Sequence, residues 1–420
     1  MARKKFKFVE MFVNPATGAP YEDIDEPKIV ETRHFGALTL HRIAKIVYEE
    51  KKVEYKQQEV QADGTTKEGK TETRTILIEK MGTLGGWIEK VENLSQMGDC
   101  WVDEDGVVCG NGMVSGDVLL TSGEVGHNAH VTGRARIGGG VGIGGNAYVF
   151  GKAEIGGKSR IAVFGTAKVC GKVDGEALVG GNAYVGKDAE VKDKAQVVGN
   201  AQVFGKVSGQ AVVSDNAIVY GTVSGKASVS SAAIVLEGGE VSGESLVKSG
   251  VIAGEVSGRS AVMDGQVYVG KQGVVSGDAL AKGNASVEGS LSGKCSASEN
   301  ASIAEGASVG GESSVKGNAM LGEGGSCSSA LVDGGSVVMG DVGGDSSLKG
   351  GCRVGEQGSV SSVSADGSVN VGGTLTAAAT GNAVVAPGAS AIVPLSGNMV
   401  YLEGTDTEPG EAAVVTEPPE

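Results

Sequence analysis

Residues 179–203 read VGGNAYVGKDAEVKDKAQVVGNAQV. Every sixth residue is valine: Val179, Val185, Val191, Val197 and Val203. Two positions before each of the last four stands an alanine, at Ala183, Ala189, Ala195 and Ala201. Gly, Asn, Asp and Lys fill much of the space between. A period of six excludes an amphipathic helix, whose apolar residues recur at three and four. It also excludes a hairpin ladder, which alternates at two and breaks at turns of varied length. A short strand followed by a tight corner fits, since Gly, Asn and Asp accept the positive φ that such corners need. Three units of this kind close a triangular coil of about 18 residues, and coils stack at the roughly 4.8 Å spacing of paired strands.

The pattern extends outward from this stretch. Stepping back by six from Val179 reaches Val173, Ala167, Ile161, Ile155, Val149 and so on to Leu119. Of the fifteen positions from Leu119 to Val203, fourteen are branched aliphatics and Ala167 is the exception. The small series continues through Ala129, Ala135, Ala147, Ala153, Ser159, Ala177 and their successors. Beyond Val203 the register slips: Val169, Val203 and Val219 each open a ten-residue step, to Val179, Val213 and Val229. A Ser-Gly pair then recurs at Ser208, Ser224, Ser242, Ser257, Ser276 and Ser292, at gaps of 16, 18, 15, 19 and 16 residues. One turn per coil therefore persists while coil length varies. After about Gly322 the sequence becomes Gly/Ser-rich, with Val or Leu at looser intervals.

Energetics demand a stack. Each buried Val or Ile contributes roughly 1.5–3 kcal/mol, whereas ordering one residue's backbone costs roughly 1–2 kcal/mol. A coil with about three such residues cannot stand alone, so stability accumulates with coil number. Some 15 coils at about 4.8 Å make a rod on the order of 70 Å long.

Composition agrees. Glycine occurs 72 times in 420 residues, and only 4% of residues are aromatic although 40% are hydrophobic. Small aliphatics must carry the burial, which suits a long, narrow core. The formal net charge of −15 and the lack of a clustered basic face argue against nucleic-acid binding. The one basic run, Arg3-Lys4-Lys5-Phe6-Lys7, reads as solvated terminus. No apolar stretch is long enough to insert in a membrane, and the N-terminus lacks the apolar core of a secretory signal. Six cysteines without a CxxC pair read as reduced thiols of a protein made in the cytoplasm.

The domain reading is a β-rich N-terminal cap over 1–118, a repeat solenoid over 119–321, a degenerate continuation over 322–402 and a disordered acidic tail over 403–420. Within the cap, Lys28–His34 and Leu38–Val47 read as short strands. The charged stretch Lys51–Lys80, turning near Asp63-Gly64, reads as an inserted β-hairpin. Both tryptophans follow, in Gly85-Gly86-Trp87-Ile88-Glu89 and Gly98-Asp99-Cys100-Trp101-Val102, separated by Asn93-Leu94-Ser95. That suits a cover for the open first coil, because a bare solenoid end is a sticky β edge.

The run from Gly85 to Val102, the preceding Leu40-His41-Arg42-Ile43 and the Gly-Asn-Ala-x-Val repeats resemble a group of hexapeptide-repeat proteins from bacteria and their prophages. The resemblance spans roughly residues 38–48 and 82–320; the hairpin and the sequence past Gly322 depart from it. It implies an all-β, left-handed parallel β-helix. One member of the group is sometimes labelled a putative acetyltransferase, but the resemblance does not come with a secure activity. Among hexapeptide-repeat proteins more widely, acyltransferases use a histidine as general base and one trimeric enzyme holds zinc with three.

Here His127 and His130 lie in the repeat, in Gly126-His-Asn-Ala-His-Val131, and the phase points both outward. They are the candidates for a base or a metal pair, but solvated surface histidines are the commoner reading. The third zinc ligand is missing, and no metal site or cofactor is expected. Gly306-Ala-Ser-Val-Gly310 matches a nucleophile-elbow pattern and Gly138–Gly145 a dinucleotide-like glycine run. Both are composed of the default letters of the repeat. The leading expectation is a non-catalytic rod: a structural, spacer or adhesive protein, of phage or prophage origin and virion-associated, with a protein or glycan partner. Flat faces of small residues suit lateral packing as a homo-oligomer, such as a trimer. The alternatives are a CoA-dependent acyltransferase working through His127 or His130, and a ligand-binding or sequestering module.

Overall fold

The computed structural model describes residues 6–8, 32–35, 38–60, 66–157, 161–343, 346–356, 358–361, 364–366, 370–375 and five two-residue strands between 379 and 401. The basic run at Arg3–Lys5, residues 28–31, Ser159, the turn at Asp63-Gly64 and the tail over 403–420 lie outside them. The chain is all-β, a parallel β-solenoid of about 16 turns. The one helical element among the described residues is a single turn at Val91–Asn93. Two compact units are present, residues 1–166 and 167–420.

In the first unit, β1 (Phe6–Phe8) and β2 (Thr32–Phe35) pair antiparallel with β3 (Leu38–Val60). That strand pairs in turn with β4 (Thr66–Ile88), from Val60 opposite Thr66 to His41 opposite Ile88. The strand expected at Leu38–Val47 and the hairpin expected at Lys51–Lys80 are therefore one continuous two-stranded ribbon. Register shifts at Arg42/Ala44, Ala44/Ile46 and Lys56/Gln58 bend it, as bulges do. The far end of β4 gains a second partner on its other edge: Trp87 and Ile88 pair in parallel with Val107 and Val108 of β5 (Trp101–Val108). From there the chain coils. Val108, Val125, Ile143 and Val163 stack on one face, Val114, Val131 and Val149 on a second, and Leu120, Ile137 and Ile155 on a third.

The second unit repeats this geometry in its own three ladders. One carries Val169, Val185, Val203, Val219 and Val235 in direct register. The next carries Val173, Val191, Val207, Val223 and Val241. The third carries Val179, Val197, Val213, Val229 and Val247. All of these side chains are fully buried. The parallel pairing continues through the Gly/Ser-rich sequence as far as Val400–Tyr401.

Two features of the six-residue count are corrected here. Leu119 is half-exposed and its neighbour Leu120 fills the core. The exception at Ala167 is a real shift of phase: it occupies the small buried position, and the aliphatic of its coil is Val169. Ile155 to Val163 spans eight residues and Val169 to Val173 only four, so a count by sixes returns to step after missing both.

The four-residue step explains the slipped register. Up to residue 342, six corners of the second unit are shortened to four, at 169–173, 203–207, 219–223, 252–256, 287–291 and 338–342. Each has glycine at its centre (Gly171, Gly205, Gly221, Gly254, Gly289, Gly340), where an added Cβ would strike backbone carbonyl oxygens of the next coil. What reads as a ten-residue step is a short corner of four followed by an ordinary side of six.

Candidate functional site

His127 and His130 sit on one coil of the first unit but in different settings. Gly126 and Ala129 are buried, so the chain turns a corner between them. His127 is at that corner in a left-handed conformation, φ 56°, with its side chain exposed. Non-glycine residues seldom adopt that region. Its Nδ1 lies over Gly144, where an added Cβ would come within 3.2 Å. His130 begins the following strand, directly between Met113 and Tyr148 of the adjacent coils.

His130 Nε2 is 3.1 Å from Ser115 Oγ, and that hydroxyl donates to Thr132 Oγ1 at 3.0 Å. The Tyr148 ring meets the imidazole edge-on at 5.4 Å between centroids, and Phe150 stacks on Tyr148 at 5.1 Å. Burial holds His130 below the ordinary histidine range, so the imidazole is neutral at pH 7. Ser115 was not singled out from sequence, because it lies fifteen residues away and only coil length brings it near. Because Ser115 gives its one proton to Thr132, His130 Nε2 donates to Ser115 Oγ, the reverse of a base beside its nucleophile. No described carboxylate orients the ring. Among the described residues no cluster of three or more His, Cys, Asp or Glu could hold a metal ion.

The other polar side chains form axial ladders. Asn111, Asn128 and Asn146 occupy one corner, each amide donating to the next carbonyl oxygen at 3.0 and 2.9 Å. The same arrangement links Asn182, Asn200 and Asn216 at 2.9 and 3.0 Å. It returns in Asn284, Asn300 and Asn318 at 3.1 and 2.9 Å. Replacing the middle residue, Asn200→Ala, removes both bonds of its ladder and is expected to cost about 1 kcal/mol. A urea melt that left the midpoint unchanged would show the ladder to be energetically silent.

A different corner of the second unit alternates charge. Lys194 pairs with Glu176 at 3.5 Å, Lys226 with Glu244 at 2.9 Å, and Lys294 with Glu312 at 3.6 Å. Arg259 grips Asp278 with two hydrogen bonds, at 2.9 and 3.1 Å. The Lys226 ammonium holds Glu244 below the usual carboxylate range, and Glu244 raises Lys226. Exposed pairs like these are screened by water and salt, so they order the corner more than they stabilise it.

One shallow notch of about 660 Å³ lies where the short corner at Gly289–Ser290 is flanked by longer ones, between Gln272, Glu305, Ser308 and Glu323. Ser308, the serine of the elbow-like motif, lies there at the start of a parallel strand with no helix after it. The Gly138–Gly145 run likewise spans coil corners and the strand Val141–Ile143. Neither stands between a strand and a helix.

The tryptophan-containing motifs hold the first turn together. Asn93 is fully buried, and its amide donates to Gly110 O at 3.1 Å and Gly112 O at 2.7 Å while its Oδ1 accepts from Lys90 N at 2.8 Å. Trp87 packs with Leu40 and Cys109. Arg42 lies over the Trp87 ring, 5.8 Å from its centroid, and pairs with Glu104 at 2.8 Å. A Cβ on Gly85 would come within 2.6 Å of the Trp101 ring. Packing accounts for these residues without a ligand.

All six cysteines are buried. Burial, reinforced by Glu124 and Glu89, pushes the Cys109 thiol up to about 11, and burial raises Cys295 to about 11 as well. Both are therefore protonated and poor nucleophiles at neutral pH. The native protein should resist a thiol-specific reagent at about pH 8 and react at all six positions once unfolded. Because the folded state keeps protons that the unfolded chain releases, these two thiols make stability fall as pH rises from their ordinary range towards 11. Fast native labelling of Cys109 or Cys295 would contradict this.

Among the described residues no helix is long and apolar enough to cross a membrane. No protein-family model and no curated protein matches the chain.

Proposed function

We propose that this chain is a non-catalytic, left-handed β-solenoid of the hexapeptide-repeat kind, serving as a structural, spacer or adhesive protein of phage or prophage origin. In this reading the N-terminal strands cap the first coil. One observation carries the proposal. Among the described residues, columns of polar side chains pair along the stack with their counterparts one coil away, instead of converging on a point. The Asn and Lys/Glu columns are of this kind, and the polar partner of His130 is Ser115, one coil below. Catalysis needs groups gathered around one reacting atom.

The test is calorimetry with acetyl-CoA, together with an acyl-transfer assay of the protein and of a His127→Ala/His130→Ala variant. No saturable heat and no transfer are expected. Saturable binding, with transfer lost in the double variant, would replace this reading by an acyltransferase. A ligand-binding role has one observation in its favour, the notch at Gly289–Ser290. A melting-temperature screen against nucleotides and glycans checks it; a shift abolished by Ser290→Trp would support that role.

A further inference from the structure

Asn111-Gly112 is the one Asn-Gly pair in the chain; the other eight asparagines of the axial ladders all precede alanine. Packing accounts for the difference. The residue after a ladder asparagine takes the small buried position, filled by alanine at Ala129, Ala147, Ala183 and Ala201. At Gly112 the first coil is tighter: a Cβ would come within 2.6 Å of Val125 O and 2.9 Å of Cys109 O, both backbone atoms. Glycine is thus imposed beside an asparagine, and that pairing is chemically labile. With no Cβ on its residue, the Gly112 nitrogen is unhindered and its backbone turns readily. It attacks the side-chain carbonyl carbon of Asn111; the new C–N bond closes a five-membered imide, and the bond to Nδ2 breaks. Ammonia leaves, taking up the Gly112 proton, and water then opens the imide to aspartate or isoaspartate.

Asn111 is exposed, so burial does not keep water from it. Hydrogen bonds hold both reacting groups instead. The Gly112 N–H donates to Cys109 O at 3.0 Å. The Asn111 amide nitrogen donates to Asn128 Oδ1 at 3.0 Å, and its Oδ1 accepts from Lys90 Nζ at 2.9 Å. The flanking peptides are fixed by the segment that follows Trp87. Glu89 accepts from Gly110 N, and the buried Asn93 amide donates to both Gly110 O and Gly112 O. Ring closure has to swing the Asn111 side chain back over its own main chain and turn the peptide between Asn111 and Gly112. Neither movement is open while these six hydrogen bonds stand.

We infer that Asn111 is a deamidation site held closed by Lys90, Asn128, Glu89 and Asn93, so that its amide is lost only when the first coil opens. Local opening of this kind has its own free energy, at or below that of global unfolding. The open fraction multiplies the intrinsic rate of the free dipeptide, and each factor of ten in rate corresponds to about 1.4 kcal/mol. Deamidation at this one position therefore counts openings of the first coil. The inference does not depend on the proposed role.

The test is peptide mapping by mass spectrometry after incubation in mildly alkaline buffer, where the attacking nitrogen loses its proton most readily. The full chain is compared folded and in guanidinium chloride, beside a Lys90→Ala/Asn128→Ala variant and an Asn200→Ala variant whose ladder lies in the second unit. Circular dichroism confirms that each variant folds. Folded wild type should convert Asn111 at least about tenfold more slowly than the unfolded chain. The double variant, while still folded, should convert it faster than wild type, and Asn200→Ala should match wild type at Asn111. Should the double variant fail to fold, Asn128→Ala alone carries the test, because that side chain is exposed. Equal rates in the folded and unfolded wild-type chain overturn the inference. So does a folded double variant no faster than wild type, or an Asn200→Ala variant as fast as the double one.

Discussion

Val203→Asp should abolish the native state of the second unit, while Gln202→Asp, one residue away, should leave it essentially intact. Val203 is fully buried, in register between Val185 and Val219; Gln202 is exposed. Successive strand residues point to opposite sides, so the two positions differ in everything but sequence number. The substitution forfeits the roughly 1.5–3 kcal/mol of a buried valine and places a carboxyl among aliphatics with no donor. Burial without a partner adds several kcal/mol more, a large part of the usual 5–15 kcal/mol stability of a domain. Nearest-neighbour stacking makes the break local at first, so limited proteolysis should cut near residue 203 before elsewhere. The pH response identifies the cause. A buried carboxyl has its folded pKa raised above the unfolded value, so the penalty is greatest at neutral pH and shrinks as pH falls through the folded pKa. The melting temperature of Val203→Asp should recover towards that of wild type near about pH 4. A variant equally unstable at both pH values would point to lost packing alone.

The inward and small columns were legible because burial imposes one residue type at one spacing: Val131, Val149, Val185 and Val203, and Ala129, Ala147 and Ala183, are buried as the period requires. The local corner chemistry was less legible. A shortened corner changes coil length by two residues, which a count by sixes reports as a ten-residue gap at Val203 or hides altogether at Ala167. Every lateral contact depends on that length. Ser115 reaches His130, and Asn200 reaches Asn216, only because those particular coils are 17 and 16 residues long. The outward placing of His127 and His130 followed from phase alone, but the positive φ of His127 and the Tyr148 contact of His130 did not. The N-terminal ribbon shows the same limit. Charged alternation marked the hairpin, but the uninterrupted pairing from Val60–Thr66 down to His41–Ile88 crosses bulges that break a period-two pattern.

Gly221→Ala should destabilise the second unit by about 2–3 kcal/mol. The short corner at Val219–Val223 rests directly against the coil that follows, and a Cβ on Gly221 would overlap the carbonyl oxygen of Gly239 and lie 2.5 Å from that of Leu236. Both are backbone atoms held in place by ladder hydrogen bonds, Thr222 N to Gly239 O at 2.9 Å among them. Relief therefore requires separating two coils, which lengthens those bonds. The φ of Gly221 is not in the left-handed region, so strain at that torsion is not the cause; close approach is. Two controls separate these mechanisms. Gly238 has open space around its Cβ position but φ +84°, so Gly238→Ala should cost about 1 kcal/mol through backbone strain alone. Gly335 has neither obstacle, and Gly335→Ala should be neutral or stabilise by up to about 1 kcal/mol by restricting the unfolded chain. Urea melts of the three variants should rank Gly221→Ala, Gly238→Ala, Gly335→Ala from most to least destabilised. If Gly221→Ala melted with Gly335→Ala, the short corners would not be locked by backbone contact, and glycine at their centres would need another cause.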